Sequence, residues 1–131
     1  MGKIKETSSN FVNKQALEDE CAVVYASNII GRQWSLAICC YLLRGKMRFG
    51  ELRKCLPNIT ERMLTIQLRK LEENKVVKRT VFAQVPPKVE YELTPMGFKL
   101  HNIIMGLKEW GNEHKLHTKS NTSIEKTVNR T

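Results

Sequence analysis

Apolar residues recur along this chain with two periods, and the change between them divides it. Up to about residue 74 the spacing is helical. Residues 19–31, "DECAVVYASNIIG", predict a helix ending at Gly31 as its C′ residue. Residues 33–43, "QWSLAICCYLL", predict a second, mostly buried helix that ends near Gly45. Residues 50–56 predict a short third helix, with Leu52 and Leu56 four apart and Pro57 as its stop. Thr60 is placed to cap a fourth helix that runs to about Asn74, its oxygen free to accept an orphan backbone N–H.

Beyond Asn74 the period falls to two. Residues 76–82, "VVKRTVF", are β-branched and partly alternating, and residues 88–93, "KVEYEL", alternate with Val89, Tyr91 and Leu93 on one face. The prolines of the connecting "AQVPP" suit a loop outside the ladder. Thr94-Pro95 then starts a last helix over about 95–114, with Thr as N-cap and Pro at the first helical position. Along it Leu100, Ile103, Leu107 and Trp110 form one stripe, widened by Ile104. The expected class is mostly α with a small β-hairpin. A short helix, a turn, a longer helix and a hairpin is the winged helix-turn-helix order. The domain spans 19–114, after an N-terminal arm (1–18) and before a polar, basic tail (115–131). That tail, "KLHTKSNTSIEKTVNRT", has no sustained apolar period and reads as mobile or weakly helical at its end.

The fourth helix has two unlike faces. With Leu64 at zero on a wheel of about 100° per residue, Leu68 and Leu71 fall in a narrow arc beside it. Arg62, Ile66, Arg69 and Glu73 lie nearly opposite, with Thr65 on the flank. The leucines seat the helix, and the other face is available to a major groove. Arginine can bond guanine bidentately or hold a phosphate, while Thr and Ile can touch a thymine methyl. A merely solvated charged face is the competing reading. The preceding short helix and turn, the following hairpin with Lys78, Arg79 and Lys88, and the basic character of the domain all favour DNA.

Charge supports that choice. The 131 residues suffice for one domain, and 22 Lys and Arg against 13 Asp and Glu give a net +9. Nucleic acid is the first partner such an excess suggests, and an anionic membrane surface the second. No apolar run approaches the ~18 residues of a membrane span. The N-terminus lacks the apolar core of a signal peptide, and Glu6 stands where a myristoylation pattern needs Ser or Thr. The expected compartment is the cytoplasm, with the protein associated with the nucleoid.

Cys21, Cys39, Cys40 and Cys55 show no Cys-x-x-Cys spacing, and Cys39 and Cys40 sit in an apolar run as small hydrophobes. Among His101, His114 and His117 there is one His-x-x-His, with Glu113 its sole acidic neighbour. No metal and no cofactor is expected. The chain has no glycine-rich phosphate loop, no H-E-x-x-H and no nucleophile with a histidine partner, Ser35 lying beside Trp34 in an apolar helix. An enzyme is therefore not expected. The alternative is a basic membrane-surface or nucleic-acid adaptor without sequence specificity, separable by comparing duplex DNA with anionic vesicles.

The segment from Cys21 to His114 resembles the HxlR-type winged helix-turn-helix transcriptional regulators of bacteria and archaea, relatives of the MarR group. The resemblance is carried by "CAVVYASNIIGRQWSLAI", "RFGELRKCLPNITERMLTIQLRKLEENKVVKRTVF", "VPPKVEYELTPMG" and "LKEWG", in that order. It implies a homodimer on an inverted-repeat operator, a recognition helix at about 61–73 and a wing at about 76–93. Candidate DNA contacts are then Arg48, Thr60, Arg62, Thr65, Ile66, Arg69, Arg79 and Lys88. The first and last helices would form the dimer interface, through Leu100, Ile103, Ile104, Leu107 and Trp110. A cysteine commonly opens the domain in this family, and in some members it senses a small electrophile or oxidant, joining another cysteine or taking an adduct. Cys21 holds that place, although the usual following Pro is Ala22 here. The helix start favours a thiolate, while Asp19 and Glu20 oppose one, so a plain packing role stays open.

Overall fold

The leucine arc of residues 61–73 is the surface on which the subunit is built. The computed structural model describes residues 21–129, and side chains as far as residue 120. The expected N-terminal arm, and Asp19 and Glu20 of the first expected helix, lie outside the described residues. The order is α1 (Ala22–Ile30), α2 (Ser35–Leu42), β1 (Met47–Arg48), α3 (Phe49–Cys55), α4 (Glu61–Glu73), β2 (Val77–Phe82), β3 (Lys88–Leu93), α5 (Pro95–Phe98) and α6 (His101–Asn129). This is the winged helix-turn-helix expected, and its helix and strand ends fall within a few residues of the expected ones wherever Pro or a hydroxyl cap marks them.

Gly31 closes α1, but with φ −84° it is not left-handed. Its N–H reaches the Ser27 carbonyl at 2.7 Å, and a Cβ there would run into the same oxygen. Glycine is needed for close approach rather than for positive φ. A left-handed residue follows three positions later at Trp34, with φ 78°, directly before Ser35.

The sheet is larger than a hairpin. Its antiparallel order is β1-β3-β2, with Met47 opposite Tyr91 in one pair and Arg79 opposite Tyr91 in the other. Two residues carry no period, which is why β1 leaves no mark in the apolar pattern. Tyr91 and Leu93 are buried and Val89 is half-buried, so the alternation of β3 is realised. The sheet and helices close over Ile38, Leu42, Leu52, Leu64, Leu68 and Leu71, all essentially inaccessible.

The last helix differs from expectation at both ends. It is interrupted after α5, whose Thr94 cap accepts the Gly97 N–H at 3.1 Å. Gly97 lies so close to the Val76 carbonyl that a side chain would collide with it. At its other end α6 runs on through the segment expected to be mobile or weakly helical, as far as Asn129. Residues 112–129 contain neither Pro nor Gly, so nothing breaks the helix once it is started. Among the described residues no helix is long and apolar enough to cross a membrane.

Candidate nucleic-acid interface

Thr60 caps α4, its Oγ1 accepting the Met63 N–H at 3.1 Å. Its hydroxyl oxygen thus has a structural task before any contact with DNA. The guanidinium of Arg53 meets the Glu61 carboxylate at 2.6 Å, tying α3 to the first turn of α4. Leu64, Leu68 and Leu71 turn inward, leaving Arg62 and Arg69 exposed. The Thr65 hydroxyl donates to the Glu61 carbonyl at 2.8 Å, so its methyl is what remains for a base edge. Ile66 was expected on the open face, opposite the leucines; it is half-buried rather than fully open.

A cleft of about 510 Å³ separates α4 from β2. Its lining includes Thr65, Arg69 and Arg79, together with Glu72, Glu73 and Lys75. Three of the expected DNA contacts therefore share one cleft between recognition helix and wing. Lys75 enters this wall through its left-handed turn, with φ 62°, immediately after the helix. Only the Asn74-Lys75 pair, at the change of period, could have signalled it.

Arg48 and Lys88 are held elsewhere. Arg48 is exposed on edge strand β1, opposite Glu90, and its backbone N–H donates to Glu51 at 3.2 Å. Lys88 was expected as a DNA contact on the wing. Its ammonium lies 2.9 Å from the Glu90 carboxylate and 5.0 Å from the Phe82 ring centre. The hydrogen bond from Lys88 holds the Glu90 carboxyl below the usual carboxylate range; burial opposes it, and the charges of Lys88, Lys46 and Arg48 add to the lowering. The wing loop itself is exposed throughout, with Val85 entirely so.

The stripe of the last helix splits. Ile104 is buried at 4% exposure inside the subunit's own core, which removes it from the expected interface; Leu100 is half-buried against the same core. Ile103, Leu107 and Trp110 stay 45–63% exposed. Val23 and Tyr25 of α1 are exposed as well, and an apolar groove of about 530 Å³ runs between α1, α5 and the start of α6.

All four cysteines are free thiols. Cys21 is the N-cap of α1 and half-buried. Burial pushes the Cys39 thiol up to about 12, with Cys40 adding to the effect, so Cys39 stays protonated and inert. Among the described residues no cluster of three or more His, Cys, Asp or Glu could hold a metal ion. Trp110 stacks on His114 with ring centres 4.9 Å apart.

Comparison with known proteins bears on this geometry. Residues 29–119 match the profile of the family described as HxlR-like helix-turn-helix. The chain is 48% identical over 95 residues to YdeP of Bacillus subtilis (strain 168), an uncharacterised HTH-type transcriptional regulator, covering 72% of this chain and 74% of that one. The redox regulator HypR in its reduced form superimposes with a TM-score of 0.73 at 43% identity, over 76% of this chain and 99% of HypR. The quinone-bound form of YodB from B. subtilis gives a TM-score of 0.62 at 29% identity, over 70% and 96%.

Proposed function

Because this chain belongs to the HxlR-like helix-turn-helix family and is a transcriptional regulator of that type, we propose that it binds an inverted-repeat operator as a homodimer, in the cytoplasm and at the nucleoid. α4 lies in the major groove and the wing follows the adjoining backbone. The observation that carries this is the shared cleft: Arg69 and Thr65 of α4 and Arg79 of β2 face one space, while the leucines of α4 are spent on the core. Arg62 and Arg69 read base edges or groove walls. Arg79 neutralises phosphate. The exposed Ile103, Leu107 and Trp110, with Val23 and Tyr25, supply an apolar surface that a second subunit covers.

Cys21 is the thiol through which an oxidant or electrophile alters binding. The HypR and YodB structures are of regulators in reduced, oxidised, diamide-treated and quinone-bound forms. At the head of α1, a covalent change need not touch DNA. It need only tilt one subunit on the other and so shift two recognition helices off their spacing of about 34 Å.

The test measures duplex DNA and anionic vesicles in parallel across a salt series. Sequence-selective duplex binding that falls steeply with salt is expected; equal binding of vesicles and all duplexes refutes the reading. Wild type and Cys21→Ser are then compared after diamide or a quinone. Loss in wild type alone is the expected result. Equal loss in both, or full retention in wild type, makes Cys21 a packing residue.

A further inference from the structure

Ser35 and Gln67 are the buried polar side chains of the described core, at 1% and 6% exposure. They are partners: the Ser35 hydroxyl donates to the Gln67 carbonyl at 3.1 Å across the contact between α2 and α4. The Gln67 amide in turn reaches the Met63 sulfur at 3.5 Å, one turn back along the same helix. Gln67 stands within the leucine arc of α4, where an apolar side chain would serve packing equally well. Replacing a fully satisfied buried pair by apolar groups is often neutral or stabilising, so stability alone does not account for it.

Direction is what the pair adds. Leucines packed against a core resist separation better than they resist rolling, since apolar contact is not directional. A hydrogen bond is directional, and Ser35 offers a firm anchor. It is the first residue of α2, set by the left-handed Trp34 before it, with its own N–H bonded to the Arg32 carbonyl at 3.2 Å. A roll of α4 by about 20° would carry a side-chain tip at a radius of about 6 Å through about 2 Å. Base-edge hydrogen bonds tolerate only a fraction of that displacement.

We propose that Ser35 and Gln67 are specificity-determining positioning residues, whose buried hydrogen bond fixes the roll of α4 and hence which base edges Arg62, Thr65 and Arg69 meet. The inference rests on the reading of α4 as the groove-reading helix. Neither residue touches DNA, so the effect falls on discrimination between sequences and leaves the phosphate contacts alone.

The experiment starts from a random-sequence duplex library, from which wild-type protein enriches its preferred duplex. The probes are that duplex and a scrambled one of equal length, at one salt concentration. Ser35→Ala/Gln67→Met removes both polar groups together and leaves neither orphaned. This variant is expected to melt close to wild type and to bind the scrambled duplex unchanged, while its preference for the enriched duplex falls about tenfold, the size of one lost base contact. An unchanged preference in a folded variant overturns the proposal. If circular dichroism shows the double variant unfolded, the same ratio measured for Ser35→Ala decides, with the same two outcomes. If wild type enriches no sequence at all, the reading of α4 as a groove reader fails and the positioning role falls with it. If it enriches one and the variants keep the ratio, the positioning role alone is wrong.

Discussion

α4 and α6 are both amphipathic in sequence, and the fold uses them in opposite ways. α4 places Leu64, Leu68 and Leu71 entirely inside its own subunit and leaves Arg62 and Arg69 outside. α6 places Ile104 inside and leaves Ile103, Leu107 and Trp110 outside. One helix is finished by its own chain, so its outer face can be given over to charge. The other keeps exposed apolar side chains on its outer face. An apolar period therefore says that a face is buried somewhere, not that one subunit suffices to bury it.

The sharpest way to break this contrast is to truncate one leucine from each helix. Leu68→Ala empties a site at 1% exposure and should cost about 2–5 kcal/mol in urea unfolding. Leu107 is 45% exposed, and Leu107→Ala should leave the isolated subunit's stability within about 0.5 kcal/mol. Comparable losses for the two, measured at a dilution where wild type is monomeric, would show that α6 is as self-sufficient as α4.

The next effect appears in assembly. Leu107→Glu sets a charge on the exposed stripe, where a partner subunit would have to desolvate it. Sedimentation velocity at micromolar concentration should show dimer for wild type and monomer for the variant, with circular dichroism unchanged. A variant that still sediments as a dimer would move the interface off α6, toward the apolar faces of α1.

How much of this could be read in advance varied with the kind of signal. Thr60 and Thr94 were legible as caps because a hydroxyl before a helical period has one common use, and both hydroxyl oxygens accept the expected N–H. The alternation of β3 was legible for the same local reason. β1 was not, since two residues have no period. Gly31 was legible as the end of its helix, but sequence does not distinguish a glycine needed for positive φ from one needed, as here, for close approach. At the interface, the wheel separated arginines from leucines correctly. It could not show that Thr65 satisfies its hydroxyl on Glu61, that Ile66 is half-buried, or that Lys88 belongs to Glu90. The polar partners of Thr65 and Lys88 are near in sequence, but which local partner a side chain takes is set by backbone geometry that a helical wheel does not carry. Gln67 was not singled out in the sequence, and its meaning needed Ser35, 32 residues away.

Smaller effects separate the arginines. Arg69→Ala should cost about 1–3 kcal/mol on the preferred duplex and relax selectivity at one position. Arg79→Ala should weaken all duplexes alike and lower the salt slope by about 1. Both side chains line the same cleft, so equal behaviour on preferred and scrambled DNA would mean that the cleft holds backbone only.

The smallest effect concerns Lys88 and Glu90, which decide whether this end of the wing serves the sheet or the DNA. With its ammonium held by Glu90 and set over Phe82, Lys88 should matter less to DNA affinity than Arg79 does, and Lys88→Ala should change it the less of the two. The pair should also leave a mark on stability against pH. The Glu90 carboxyl ionises at lower pH in the folded chain than in the unfolded one, chiefly through the hydrogen bond from Lys88. Its contribution is therefore fully present above the ordinary carboxylate range and is lost as pH falls through the lowered folded value. Thermal melts of wild type and Glu90→Gln from neutral pH to pH ~3 should show wild type ahead at the neutral end and the gap closing toward acid. A gap that keeps its size across that range would mean that Glu90 acts through shape and neutral hydrogen bonding. Lys88 would then be available to a phosphate after all, and Lys88→Ala should weaken DNA binding as much as Arg79→Ala.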